Sequence, residues 1–247
     1  MSVRTQVLAA LAAVLVVAGA VGHARSPQAA ATKAAPPAQA SLRPADLAVR
    51  RLSEAELASA VRAKVDAQAA GGRFQGAVLV ARNGKLIYSE AKGLADREAG
   101  TPNTLETRFR MGSMNKMFTA TAVLQLVQAG QVKLDAPFGT YLTDYPNRDV
   151  AAKVTIHHLL THTSGMNSYW QELFDTAFWE IRTVQQLADL IINKPLDFEP
   201  GARFQYSNSG PVILGLIIEK VSGLDYFDYI RERIYKPAGM INSDSYA

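Results

Sequence analysis

The chain contains no cysteine, so it can build neither a disulfide framework nor a lipid-modified cysteine anchor, and packing alone must hold it together. It also lacks any apolar run of the roughly 20 residues that a bilayer-spanning helix requires. The longest such run, Val7 to Gly22, is short and rich in Ala and Gly. Clustered charge is missing as well. The 26 basic and 22 acidic residues leave a formal net charge of +4, with no like-charge run or basic helical stripe, which argues against nucleic acid as a partner. There is no dinucleotide fingerprint, no phosphate loop and no Gly-x-Ser-x-Gly elbow, so nucleotide-dependent and α/β-hydrolase chemistries have no support. No internal repeat is apparent.

What remains is the profile of a globular chain, with 48% hydrophobic, 19% charged and 8% aromatic residues. Residues 1–24 read as a secretory signal peptide, because Arg4 precedes the apolar run and Gly22-His23-Ala24 closes it with small residues. Cleavage after Ala24 is expected, which implies a periplasmic or secreted protein with no stable membrane span afterwards. Residues 25–45 are Ala, Pro and Gln with little to bury, and read as a flexible linker. The folded domain is expected over residues 46–247.

Within that domain the periodicities are mixed. Ser53 and Glu56 form a capping-box pattern ahead of Leu57, Ala60, Val61 and Val65, so a helix is predicted to run to Gly71-Gly72. Asn83-Gly84 between two strand-like runs, Gln75 to Ala81 and Leu86 to Ala91, predicts a β-hairpin. Further helices are predicted from Ser113 to Ala129 with Gly130 as cap, from Thr155 to Leu160, from Thr183 to about Ile192, and from Pro211 to about Gly223. The fold class is therefore α/β in the broad α+β sense. Trp170, Phe178 and Trp179 read as core or groove wall.

Two Ser-x-x-Lys patterns occur, Ser113 to Lys116 and Ser89 to Lys92. They differ in context. Ser89 lies on a predicted strand, where residues three apart face opposite sides, whereas Ser113 and Lys116 share one face of a predicted helix. A helix start also turns unpaired amides toward a developing oxyanion, and Gly112 leaves room for a substrate. Lys116 could take the Ser113 proton or hold a neighbouring phenolate in its charged form. The bland reading of the same segment is a capping serine followed by a solvated lysine, and on these residues alone the two are balanced. Tyr206-Ser207-Asn208 tips the balance: in an extended loop Tyr206 and Asn208 face one side, the first a proton carrier and the second an amide able to grip a carbonyl.

Ser113-Met114-Asn115-Lys116, the later Tyr206-x-Asn208 and the stretch Pro200 to Asn208 together resemble the β-lactamase-related serine hydrolases. That group includes class C β-lactamases, D-alanyl-D-alanine peptidases and related esterases. Leu159 to Gly165 and Pro237-Ala238-Gly239-Met240 match in the same order, and the resemblance runs from about residue 50 to the end. It implies a helical lobe set into an antiparallel-sheet α/β lobe, and an exported hydrolase that acylates itself on an ester, amide or β-lactam substrate. Ser113 would be the nucleophile, Lys116 its activator, Tyr206 the proton shuttle and Asn208 a substrate contact. The partner would be a small-molecule or peptide substrate, cell-wall fragments included, and no cofactor is implied. The Lys-Thr-Gly motif of such proteins is not found after Tyr206, so the resemblance also implies a domain lacking its C-terminal strands and helix. The alternative reading is accordingly a non-catalytic penicillin-recognising sensor, or an inactive truncated member.

His158 and His162 have the four-residue spacing of two metal ligands on a helix, but Leu159 stands where His-Glu-x-x-His needs glutamate. No third ligand is evident. No metal is expected, and His162 is read as pinning the turn through Gly165.

Overall fold

In the computed structural model, residues 51–169 and 180–246 are described. The proposed signal peptide, the linker, and Trp170, Phe178 and Trp179 lie outside them.

The first helix, α1 (Glu54–Ala70), is laid along a hairpin of β1 (Gly76–Arg82) and β2 (Lys85–Lys92). Asn83 and Gly84 both have positive φ, 51° and 75°, which is the pair of left-handed residues a tight two-residue hairpin turn needs. Two ion pairs align helix and strand: Lys85 Nζ to Glu54 at 2.8 Å, and Lys92 Nζ to Asp66 at 2.8 Å. Twelve helical residues span about 18 Å and seven strand residues about 23 Å, so the pairs run in step along both elements. Being exposed or partly exposed, they set register more than they add stability. A second, shorter pair follows, β3 (Leu94–Asp96) with β4 (Thr101–Pro102). Among the described residues each sheet has two strands.

The core is helical. Its centre is α6 (Ser209–Ser222), in which Val212, Ile213, Leu214, Leu216, Ile217 and Ile218 are all buried. A helix apolar on so much of its circumference must be enclosed on several sides. The surrounding elements are α2 (Lys116–Gln128), α4 (Ile156–Leu160), α5 (Val184–Asp189) and α7 (Tyr226–Ile230). A small helix, α3 (Arg148–Lys153), supports Phe138, which is completely buried against Tyr145 with ring centroids 4.9 Å apart. Gly210 is required where α6 meets α4, since a Cβ there would lie 3.0 Å from the Leu159 carbonyl oxygen.

Most helix limits agree with their sequence signals. Thr155 caps α4 and Thr183 caps α5, each in a capping box, with His158 and Gln186 as the reciprocal residues. Gly223, at φ 73°, closes α6 in the left-handed region. Two starts differ from expectation. Helix α6 begins at Ser209 rather than Pro211; a proline in the first turn is tolerated because its missing N–H would have no intrahelical acceptor. The predicted helix from Ser113 is a tight 3₁₀ turn, Gly112–Asn115, that leads into α2 at Lys116. Gly112 has φ 52°, so the chain swings into this turn through a conformation that favours glycine.

Candidate active site

Ser113 and Tyr206 lie 93 residues apart in sequence, and their side-chain oxygens meet at 2.7 Å. Lys116 donates from Nζ to Ser113 Oγ at 3.0 Å. The 3₁₀ turn makes the second contact possible, because side chains three residues apart nearly eclipse there. The ammonium also sits 5.0 Å from the centre of the Tyr206 ring.

Tyr206 is brought to Ser113 by two segments that close on each other like a zipper. One is residues 161–167, the other residues 196–209. Asp197 N donates to Gly165 O at 2.8 Å, Gly201 N to Thr163 O at 2.8 Å, and Gln205 N to His162 O at 2.9 Å. Met166 and Leu196 form an antiparallel bridge at the far end. Gly165 must be glycine: φ is 74°, and a Cβ there would lie 2.1 Å from the Phe198 carbonyl oxygen. At the near end, Ser207 and Ser209 hydroxyls both donate to Asn167 O, the first at 3.3 Å. Because α6 starts at Ser209 and belongs to the core, this arrangement ties Tyr206 to the most buried helix among the described residues.

His162 closes the zipper beside Tyr206. Its backbone has φ 56°, an uncommon state for a residue other than glycine. Its ring lies 4.7 Å from the Tyr206 ring at 32°, and its Nδ1 accepts from Ser207 N at 3.3 Å. Burial, then the Lys116 charge, hold its pKa below the usual imidazole value. His158, the other half of the histidine pair, uses Nδ1 to accept from Thr155 N within the α4 capping box. Among the described residues no three His, Asp or Glu side chains gather as a metal group.

The Tyr206 phenol is held below the ordinary tyrosine value, first by its hydrogen bond with Lys116, then by that with Ser113. The effect on Tyr169 runs the other way: burial raises its phenol and the nearby Tyr206 charge raises it further. Two neighbouring tyrosines are thus driven apart in acidity, Tyr206 by hydrogen bonding and Tyr169 chiefly by burial.

The structure therefore gathers Ser113, Lys116 and Tyr206, but it treats Asn208 differently. The alternation expected of an extended loop ends there, because Asn208 takes helical angles (φ −86°, ψ −14°) as the N-cap of α6. It is 6% exposed, whereas Tyr206 is 47% exposed. The second Ser-x-x-Lys pattern is also placed: Ser89 is on β2, and Lys92 is engaged by Asp66 at 2.8 Å and Glu90 at 2.6 Å. The ring contact between His162 and Tyr206 is the feature that sequence reading missed. The Thr161-His162-Thr163-Ser164-Gly165 run signals a turn, but nothing local says which residue the ring will meet.

Comparison with known proteins gives a consistent result. The Beta-lactamase family model matches residues 58–246. Esterase EstB of Burkholderia gladioli is 37% identical over 204 residues, covering 76% of this chain and 52% of the esterase. Penicillin-binding protein 4* of Bacillus subtilis strain 168 is 35% identical over 173 residues, covering 68% of this chain and 37% of that protein. The crystal structure of a penicillin binding protein from Bacillus halodurans superposes with a TM-score of 0.66 at 35% identity, covering 74% of this chain and 56% of that one. The chain spans about half the length, or less, of these curated relatives.

Proposed function

The chain belongs to the β-lactamase family, and from that premise we propose that it is a serine hydrolase working through an acyl-enzyme on Ser113. The observation that carries this reading is the three-way contact of Ser113 Oγ with Tyr206 Oη at 2.7 Å and Lys116 Nζ at 3.0 Å. A serine hydroxyl is a weak nucleophile until a neighbour takes its proton. Tyr206 is suited to take it, since the adjacent ammonium favours the phenolate. In the proposed first step the Ser113 proton passes to the Tyr206 phenolate as Oγ bonds to the substrate carbonyl carbon. Tyr206 then returns that proton to the leaving alcohol or amine as the carbonyl–leaving-group bond breaks. Water completes the cycle: Tyr206 takes its proton, the hydroxide adds to the acyl carbon, and Ser113 Oγ leaves with a proton.

The substrate class proposed is an acyl ester, amide or β-lactam, in line with relatives named as an esterase and a penicillin-binding protein. A panel of a chromogenic short-chain ester, a chromogenic cephalosporin and a D-alanyl-D-alanine peptide tests it. Steady turnover of at least one is expected. A single stoichiometric acylation without release would replace this reading by that of a penicillin sensor, and no reaction with any member would remove it. Export is part of the proposal, on the strength of the N-terminal sequence pattern alone. Arg25 is the expected first residue of protein collected outside the cytoplasm, and recovery of intact Met1 there would count against it.

A further inference from the structure

We infer that His162 is a positioning residue for Tyr206: its imidazole backs the phenol ring while its Nδ1 holds the next backbone amide, keeping the phenol oxygen within reach of Ser113 and Lys116. The consequence for catalysis rests on the function proposed above.

Three observations bear on one residue. The first is the ring contact, 4.7 Å between centroids with the planes tilted by 32°, which limits where the phenol can swing. The second is the bond from Ser207 N to Nδ1 at 3.3 Å, which fixes the peptide immediately after Tyr206. The third is the left-handed backbone at φ 56°, with His162 O accepting from Gln205 N at 2.9 Å on the other side of Tyr206. One residue in a sparsely populated conformation thus grips the chain both before and after Tyr206. A turn pin alone would not need the ring. Such strain is retained where the surroundings over-determine it, and that is the case here.

Tyr206 needs this support because it is 47% exposed and sits in a segment without regular structure. A tyrosine so placed would otherwise sample several rotamers. An error of about 1 Å at a reacting group can cost on the order of 100-fold in rate. The charged and titratable groups around the pair are Lys116 from α2, Tyr169 from the loop after Gly165, and Tyr206 itself. With Nδ1 occupied as an acceptor, the neutral ring carries its proton on Nε2.

The test is His162→Asn. Asparagine tolerates positive φ, and its Oδ1 can accept from Ser207 N, so the turn is retained while the ring is lost. The melting temperature should stay within a few degrees of wild type, KM should hold, and kcat should fall about 10- to 100-fold. In a Tyr206→Phe background the same substitution should have almost no further effect, because both act through one phenol. His162→Phe, compared per folded molecule, should recover part of kcat. Additive losses in the double variant, or wild-type kcat in His162→Asn, would overturn the inference. A separate readout needs no turnover: the Tyr206 phenol, followed by ultraviolet difference titration against Tyr206→Phe, should move up toward an ordinary tyrosine in His162→Asn as it drifts from Lys116. An unmoved titration would also overturn the inference. Because this measurement is independent of hydrolysis, failure of the functional reading and failure of the positioning role remain distinguishable.

Discussion

Ser113→Ala is expected to abolish covalent labelling by a fluorophosphonate or fluorescent penicillin and to lower turnover by a factor on the order of 10,000 or more. Oγ is the only atom removed, and Ser113 is an exposed residue whose side chain meets Lys116 and Tyr206. No core packing is disturbed, so the variant should melt close to wild type. Ser89→Ala is the matched control. It belongs to the same short pattern, but its lysine is engaged by Asp66 and Glu90, whose hydrogen bonds raise the Lys92 pKa. Labelling and turnover of Ser89→Ala should be those of wild type. Labelling that persists in Ser113→Ala would mean that another nucleophile is at work.

Tyr206→Phe should lower kcat/KM by about 100- to 10,000-fold, the range of one positioned proton carrier. Its pH dependence is more diagnostic than its size. If the phenolate accepts the serine proton, activity rises with pH as the phenol ionises and levels off above that value. The Lys116 and Ser113 hydrogen bonds favour the phenolate, so this limb should fall below the pH of about 10 at which a free tyrosine titrates. The limb should be missing in Tyr206→Phe. Lys116→Met keeps the aliphatic stem but removes the charge, so the limb should move to higher pH. Measuring kcat/KM from pH 5 to 11 for the three proteins checks both statements. An unchanged limb in Tyr206→Phe would assign the proton to a different group.

Much of the fold is local and was therefore legible. The left-handed pair at Asn83 and Gly84, the threonine caps of α4 and α5 and the glycine closing α6 are all decided within a few residues of chain. The apolar spacing of α2 is only a partial guide. It puts Met117, Ala120, Val123, Leu124 and Val127 on one face, but Met117 and Leu124 are exposed and the buried stripe runs through Thr119, Ala122, Val123 and Leu126. The same locality explains the near misses. A 3₁₀ turn and the first turn of an α-helix share sequence signals, so the sequence places Ser113 in the helix although α2 begins at Lys116. Strand alternation puts Asn208 on the face of Tyr206, yet Asn208 has helical angles at the onset of α6 and is almost fully buried.

By itself the sequence marked the nucleophile candidate and its lysine, because Ser-x-x-Lys needs only one turn of backbone to bring its ends together. The acyl-transfer reading comes from the family resemblance of several motifs taken together. Tyr206 could be named from sequence through its motif, but not placed. Its distance to Ser113 depends on closing 93 residues of chain, and that closure is achieved by the pairing of residues 161–167 with 196–209 and by the burial of α6. Only the tertiary structure could decide which ring lies against Tyr206 and how deeply Asn208 is buried. Such contacts between residues distant in the chain follow from how whole elements pack, and no local pattern records them.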